Sequence, residues 1–306
     1  MVDPLLLGAV GIATLTLPEQ VKRILGPTSD YLGEKLRDLI ALRQKNLEEI
    51  VIKTGEVLGD GVEEEGIINP RIVERLINSG SYIEDDLVQR YFAGVMAASR
   101  TTTGTDDRGL YLLDLIIKMS NVDLKAHYIL YSKMREKHLG TSHSIFKVED
   151  RHRLFCRIPV NEFFLEFRKY YKDTYEEIDI LTEFVPRLLK EELLNDCIFG
   201  PRSFCSERQR ALFVRKKEGA RARPRFSVVD ASIGVAPRSS EDQLILSAYS
   251  SASTAREDAV DEDSYIVCTP SPLGAQLYLW VHGEGHRLAN EIFKPSLKLK
   301  EISFSS

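Results

Sequence analysis

From Asp30 to Leu58 the apolar residues Leu32, Leu36, Leu39, Ile40, Leu47, Ile50, Val51, Val57 and Leu58 recur at steps of three and four, the period of a helix with one buried stripe. Glu34, Lys35, Arg37, Asp38, Arg43, Lys45, Glu48 and Glu49 fill the other faces with mixed charge, which predicts a solvated outer surface. A helix of this length needs other elements laid along its stripe. It therefore commits the leading part of the chain to helix-on-helix packing.

The punctuation that follows repeats the message. After the acidic turn Gly59 to Gly66, Asn69-Pro70 offers an N-cap followed by proline at the first helical position, and Gly80 suits the stop. Glu84, Asp85 and Asp86 precede Leu87, Val88, Tyr91, Phe92, Val95 and Met96 at helical spacing. Negative charge belongs at a helix N-terminus, whereas consecutive carboxylates diverge too much to converge on a metal ion. Asp106 or Asp107 opens a further helix through Leu110, Leu113, Ile116 and Met119. Ser120-Asn-Val-Asp123 has the form of a capping box leading into Leu124, Tyr128, Tyr131 and Met134. Connections this short predict an antiparallel bundle over residues 1–137.

Beyond Lys137 the periodicity weakens across a loop holding His138, His143 and His152. A helix is expected from Asn161 to Tyr171, and another capped by Thr182, with Pro186 in its early turns, running to Asn195. Phe226–Val229, Gln243–Tyr249 and Ser264–Thr269 read as short strands, and a closing helix carries Leu277, Leu279, Trp280 and Val281. The expected fold is thus mainly α: an N-terminal helical bundle, then a smaller α+β, winged-helix-like module over 138–306 with a basic insertion at 202–225. A plain α+β cap packed on the bundle is the alternative.

Composition excludes more than it identifies. The 306 residues carry 41 Lys plus Arg against 46 Asp plus Glu, a net charge of −5, with 43 % apolar and 28 % charged residues. That is an ordinary folded chain with no global attraction for nucleic acid. Four cysteines, Cys156, Cys197, Cys205 and Cys268, lack CxxC spacing, which argues against a zinc ribbon or disulfide framework and fits a reducing cytoplasm. The apolar segment Leu5–Leu17 is shorter than the roughly 20 residues of a spanning helix and lacks a basic leader. It is expected to be packed or partner-covered, with contact at a membrane surface as the alternative.

One local anomaly stands out. Arg202, Arg208, Arg210, Arg215, Lys216, Lys217, Arg221, Arg223 and Arg225 face only Glu207 and Glu218, a net +7 that leaves −12 on the rest of the chain. Such a segment attracts phosphate, and Phe204 and Phe213 could stack on unpaired bases. The candidate nucleic-acid-binding residues are Arg208, Arg210, Arg215, Lys216, Lys217, Arg221, Arg223 and Arg225. The alternative is a solvated loop that pairs with the protein's own acidic surface.

Motifs of catalysis are missing from the sequence. There is no G-x-x-x-x-G-K-[ST], no G-x-G-x-x-G after a strand, no G-x-S-x-G and no H-E-x-x-H. His282-Gly-Glu-Gly-His286 has i, i+4 histidines, but its glycines break the helix that would align them, so a structural role at a helix end is expected. No cofactor, metal or catalytic residue is assigned.

Four stretches carry a family resemblance. Gly26-Pro27 with Tyr31–Leu36 and the helix to Leu58, Asn69-Pro70 to Leu76, Ser81 to Ala98, and Leu115 to Tyr131 are similar to the helices of the abortive-infection alpha (Abi-alpha) family of bacterial phage-defence proteins. Thr269 to Trp280 matches weakly, and the stretch from His138 to Glu262 is longer than the family pattern. The resemblance implies a non-enzymatic cytoplasmic protein that works through contact with a protein partner or a second copy. The alternative function is nucleic-acid binding through 202–225 by a regulatory protein. An enzyme is held only in reserve.

Overall fold

The computed structural model describes residues 28–171, 176–202, 205 and 264–299, with residues 28–37 described by backbone alone. The segment Leu5–Leu17, the expected strands Phe226–Val229 and Gln243–Tyr249, and Arg208, Arg210, Arg215, Lys216, Lys217, Arg221, Arg223 and Arg225 lie outside the described residues.

In chain order, α1 spans Thr28–Leu58, α2 Pro70–Arg75, α3 Asp86–Ala98, α4 Arg108–Lys118 and α5 Asn121–His138. The caps form as the sequence predicts. Asn69 Oδ1 accepts the Arg71 amide at 3.0 Å, and α2 runs on as a π turn, Leu76–Gly80. Asp85 Oδ1 accepts the amides of Leu87 and Val88 at 3.1 and 3.2 Å. Ser120 Oγ accepts the Asp123 amide at 3.2 Å while Asp123 Oδ2 accepts the Ser120 amide at 2.9 Å, closing the capping box. Arg100 donates to the carbonyls of Gly61, Val62, Glu64 and Gly66, pinning the acidic turn under one guanidinium.

The second half of α1 packs on α3. Ile50 and Thr54 are buried there, and Lys53 donates to Gln89 Oε1 at 2.7 Å and pairs with Asp86 at 3.0 Å. The periodicity predicts a stripe buried along its whole length, and the structure departs from this: Leu39, Ile40 and Val51 are 41, 37 and 45 % exposed, as is Leu42 beside them at 38 %. Near that end α1 meets the Ser81–Tyr82 turn. There Arg43 Nε donates to Ser81 Oγ, Asn46 donates to Ser81 O, and the Arg43 guanidinium lies 4.4 Å from the Tyr82 ring centroid.

The remaining elements are a short α6 (Val148–Arg151), β1 (Cys156–Pro159), α7 (Val160–Tyr170), α8 (Glu177–Lys190), β2 (Leu194–Pro201), β3 (Ser264–Pro270) and α9 (Pro272–Val281). The sheet is antiparallel with order β1-β3-β2. The helical leading part is thus followed by a smaller α+β part, as expected. Strand β3 forms where Ser264–Thr269 is expected to be a strand, and β1 and β2, which pair with it on either side, are not anticipated by the sequence.

The helix expected to be capped by Thr182 and to end at Asn195 starts five residues earlier, at Glu177, and ends at Lys190. Pro186 sits inside it. Proline there removes the bond to the Thr182 carbonyl, and the helix tolerates this because Thr182 and Pro186 are both on the exposed face, where water can serve that carbonyl. Glu192, at φ 56°, then takes the left-handed position that a glycine usually fills, and β2 begins.

A single hydrophobic core runs from Ile50 to Leu297 and takes in Tyr91, Tyr131, Phe163, Phe184 and Trp280. It passes without interruption across Lys137. Helix α9 closes it by packing on α3 so tightly that a Cβ on Gly94 would run into the carbonyl oxygens of Trp280 and Val281. Because backbone cannot yield as a side chain tip can, Gly94→Ala is expected to lower the unfolding free energy by about 1–3 kcal/mol in urea titration. Gly55→Ala, at a helical site with no atom within 4 Å, should raise it by about 0.5–1 kcal/mol in the same assay.

Candidate functional site

The α+β module is seated on a chain of buried hydrogen bonds from α5. His127 Nε2 lies 3.0 Å from the Gly274 carbonyl and Nδ1 lies 2.6 Å from the Tyr91 hydroxyl. A carbonyl only accepts, so Nε2 carries the proton and Nδ1 accepts from Tyr91, whose hydroxyl is also 3.1 Å from Leu124 O. One turn on, Tyr131 donates to Leu193 O at 2.7 Å and accepts the Ser271 amide at 2.9 Å. Ser271 in turn caps α9 by accepting the Gly274 amide at 2.9 Å. Burial pushes both tyrosine hydroxyls up and the His127 imidazole down to about 4, so all three are neutral at physiological pH.

This lowered value carries a stability consequence. The unfolded chain binds the His127 proton near pH 6.5 and the folded one only near 4, so the stability present above 6.5 is lost as pH falls between those values. The loss is about 3 kcal/mol at 1.36 kcal/mol per pKa unit. His127→Gln, which keeps a donor and an acceptor, is expected to flatten the pH dependence of urea unfolding between pH 6.5 and 4. An unchanged slope would contradict this. His138, also lowered by burial, leaves a residual slope of the same sign in both proteins.

In the α+β part, α8 packs on α5 and leads into β2. Its outward residues include Glu176, Asp179, Thr182, Glu183, Pro186 and Lys190. Arg187 pairs with Glu183 and, at 3.1 Å, with buried Asp123, whose carboxyl burial pushes up. The helix start is therefore acidic where a DNA-reading helix presents donors and positive charge. The basic segment, by contrast, belongs to the excursion between β2 and β3. Pro201 pairs with Ser264 in the sheet register, so the two ends of the connection between β2 and β3 lie side by side, with Arg202 exposed and Cys205 buried. The sequence alone does not locate that point, because no strand is expected over Leu194–Pro201.

A groove of about 230 Å³ lies between α5 and α7, lined by Tyr128, Ser132, Lys133, Glu136, Glu166 and Tyr170. Its charges are spent on one another. Lys133 pairs with Glu162 and Glu136, and the hydrogen bond to Glu162 raises its pKa. Glu166 pairs with Lys169 at 2.8 Å. Ser132 donates to Tyr128 O at 2.9 Å and so accepts from Tyr278, while burial pushes the Tyr170 hydroxyl up to about 12.

The other marked residues are structural. Asp85 pairs with Lys125 and Asp86 with Lys53, so the acidic triplet starts a helix and anchors two buried lysines. Helix α9 ends at Val281, with Gly283 at φ 76° and the Glu284 amide bonded to Leu279 O at 3.0 Å. The motif from His282 to His286 is a helix terminus, and its second histidine is exposed beside Glu284. Cys156, Cys268 and Cys197 lie opposite one another across the three strands, and all four cysteines are buried and free. Burial pushes the thiols of Cys156 and Cys205 up to about 11. Among the described residues no group of three His, Cys, Asp or Glu is disposed to hold a metal ion, and no helix is long and apolar enough to cross a membrane.

No protein-family model, curated protein or solved structure matches this chain.

Proposed function

We propose that this protein works by macromolecular contact rather than catalysis, as an abortive-infection type protein of bacterial phage defence. The observation that carries the contact reading is the module itself. Read as winged-helix-like, the α+β part would offer a partner the exposed face of α8 and the connection that joins β2 to β3. The defence setting comes from the Abi-alpha resemblance of the leading helices. The acidic N-terminal half of α8 suits a basic protein surface better than a phosphate backbone. In this reading the protein resides in the bacterial cytoplasm, and its partner is another protein or a second copy.

Deleting the chain from a host that it protects is expected to raise phage plating, and Asp179→Lys on α8 should do the same without a shift in thermal midpoint beyond a few degrees. Unchanged plating in the deletion strain rejects the defence role. Lost protection after deletion but full protection with Asp179→Lys rejects α8 as the contact.

The net charge of the basic run, which lies between β2 and β3 in chain order, favours a second reading, nucleic-acid binding through Arg208, Arg210, Arg215, Lys216, Lys217, Arg221, Arg223 and Arg225. Binding of a labelled duplex or single strand should then weaken steeply with salt. Replacing Arg215, Lys216 and Lys217 by Gln should reduce the slope of log K against log salt by about 3, one for each lost phosphate contact. A flat salt response in anisotropy titrations refutes it.

A further inference from the structure

The exposed end of α1 is the one long apolar stripe that the described fold starts to bury and then abandons. Leu39, Arg43, Asn46, Ile50 and Val57 follow one another at steps of three, four and seven, so they share a helix face. Asn46 and Ile50 are buried on that face, whereas Leu39 and the flanking Ile40 and Leu42 are more than a third exposed. The sequence keeps the same register further toward the N-terminus with Leu32 and Leu36. From Thr28 to Leu42 the helix extends about 22 Å at 1.5 Å per residue.

A second apolar stretch lies upstream in the sequence, outside the described residues. Leu5–Leu17 contains no charged residue, and in helical form it would be about 20 Å long, close to the length of α1 from Thr28 to Leu42. Residues 18–27 connect the two and can reach up to about 33 Å, enough to turn back and lie alongside residues 28–42. We propose that Leu5–Leu17 folds back along α1 and covers Leu39, Ile40 and Leu42, extending the core past the Ser81–Tyr82 turn.

Three physical arguments choose this occupant. A short tether holds the segment at an effective concentration near the millimolar range, far above that of a second copy in dilute solution. Leu39, Ile40 and Leu42 are exposed, and an uncharged apolar segment is the chemistry that removes them from water. An interfacial lipid-binding helix needs a basic polar face, and Leu5–Leu17 has none: its only polar side chains are Thr14 and Thr16, and its nearest charged neighbours, Asp3 and Glu19, are acidic.

The test uses the full chain with a photo-crosslinking phenylalanine analogue in place of Ile40, an exposed position, in an equimolar mixture of light and heavy isotope-labelled protein. Crosslinks from position 40 to residues 5–17 within one chain, with no mixed-isotope products, are expected. Mixed-isotope crosslinks would mean that a second copy covers the face. Crosslinks elsewhere, none at all, or transfer to anionic phospholipid vesicles included in a parallel sample would each overturn the proposal. Hydrogen exchange supplies an independent reading. Amides of residues 5–17 should be protected in the wild type and lose protection in Leu39→Asp, while amides of α3 keep theirs. Exchange of residues 5–17 at the unprotected rate in the wild type would also overturn it.

Discussion

The imidazole of His127 is where the two halves of this molecule are joined. Its donor goes to the first turn of α9 and its acceptor to α3, from a helix whose residues Val122 to Tyr131 are buried without a break. A helix enclosed on every side cannot be held by an apolar stripe alone, since its polar residues must find partners inside the protein. Asp123 meets Ser120 and Arg187, Lys125 meets Asp85, and His127 meets Tyr91 and Gly274. Apart from the cap at Ser120, these bonds tie α5 to α8, to α3 and its N-cap, and to α9. Gly274 fits this scheme only because it has no side chain: a Cβ would strike the Leu193 carbonyl and the Tyr131 hydroxyl that hold the next bond in the chain.

How much of this was legible in the sequence follows from where each signal is stored. Caps are local, and Asn69, Asp85, Ser120 and Asp123 act as their spacing predicts because the amides they serve are two or three residues away. The strands β1 and β2 were illegible because both are short and their pairing partner is β3, far along the chain, so no alternation of adequate length marks them. Pro186 misled for a related reason. Its rule concerns the helix interior in general, while its cost depends on which face the orphaned carbonyl points to, and that is a tertiary fact. The enclosed character of α5 was equally hidden: Asp123, Lys125 and His127 look like a polar face until their buried partners are known. Of the candidate site, the sequence supplies the charge of the basic run, and the Pro201–Ser264 pairing supplies the point between β2 and β3 where the chain that carries it begins and ends.

The acidic start of α8 is built by the same packing. Glu176, Glu177 and Asp179 open the helix where its N-terminus favours negative charge, and the tight turn Glu191–Leu193 sends the chain on as β2, against which α8 packs. The connection from β2 to β3 carries the net +7 of residues 202–225 on a chain of net −5, and its two ends lie side by side at the Pro201–Ser264 pair. Under the proposed contact function, a partner that met both the acid of α8 and this base would have to match both signs, since a surface of one sign would meet like charge at one of them.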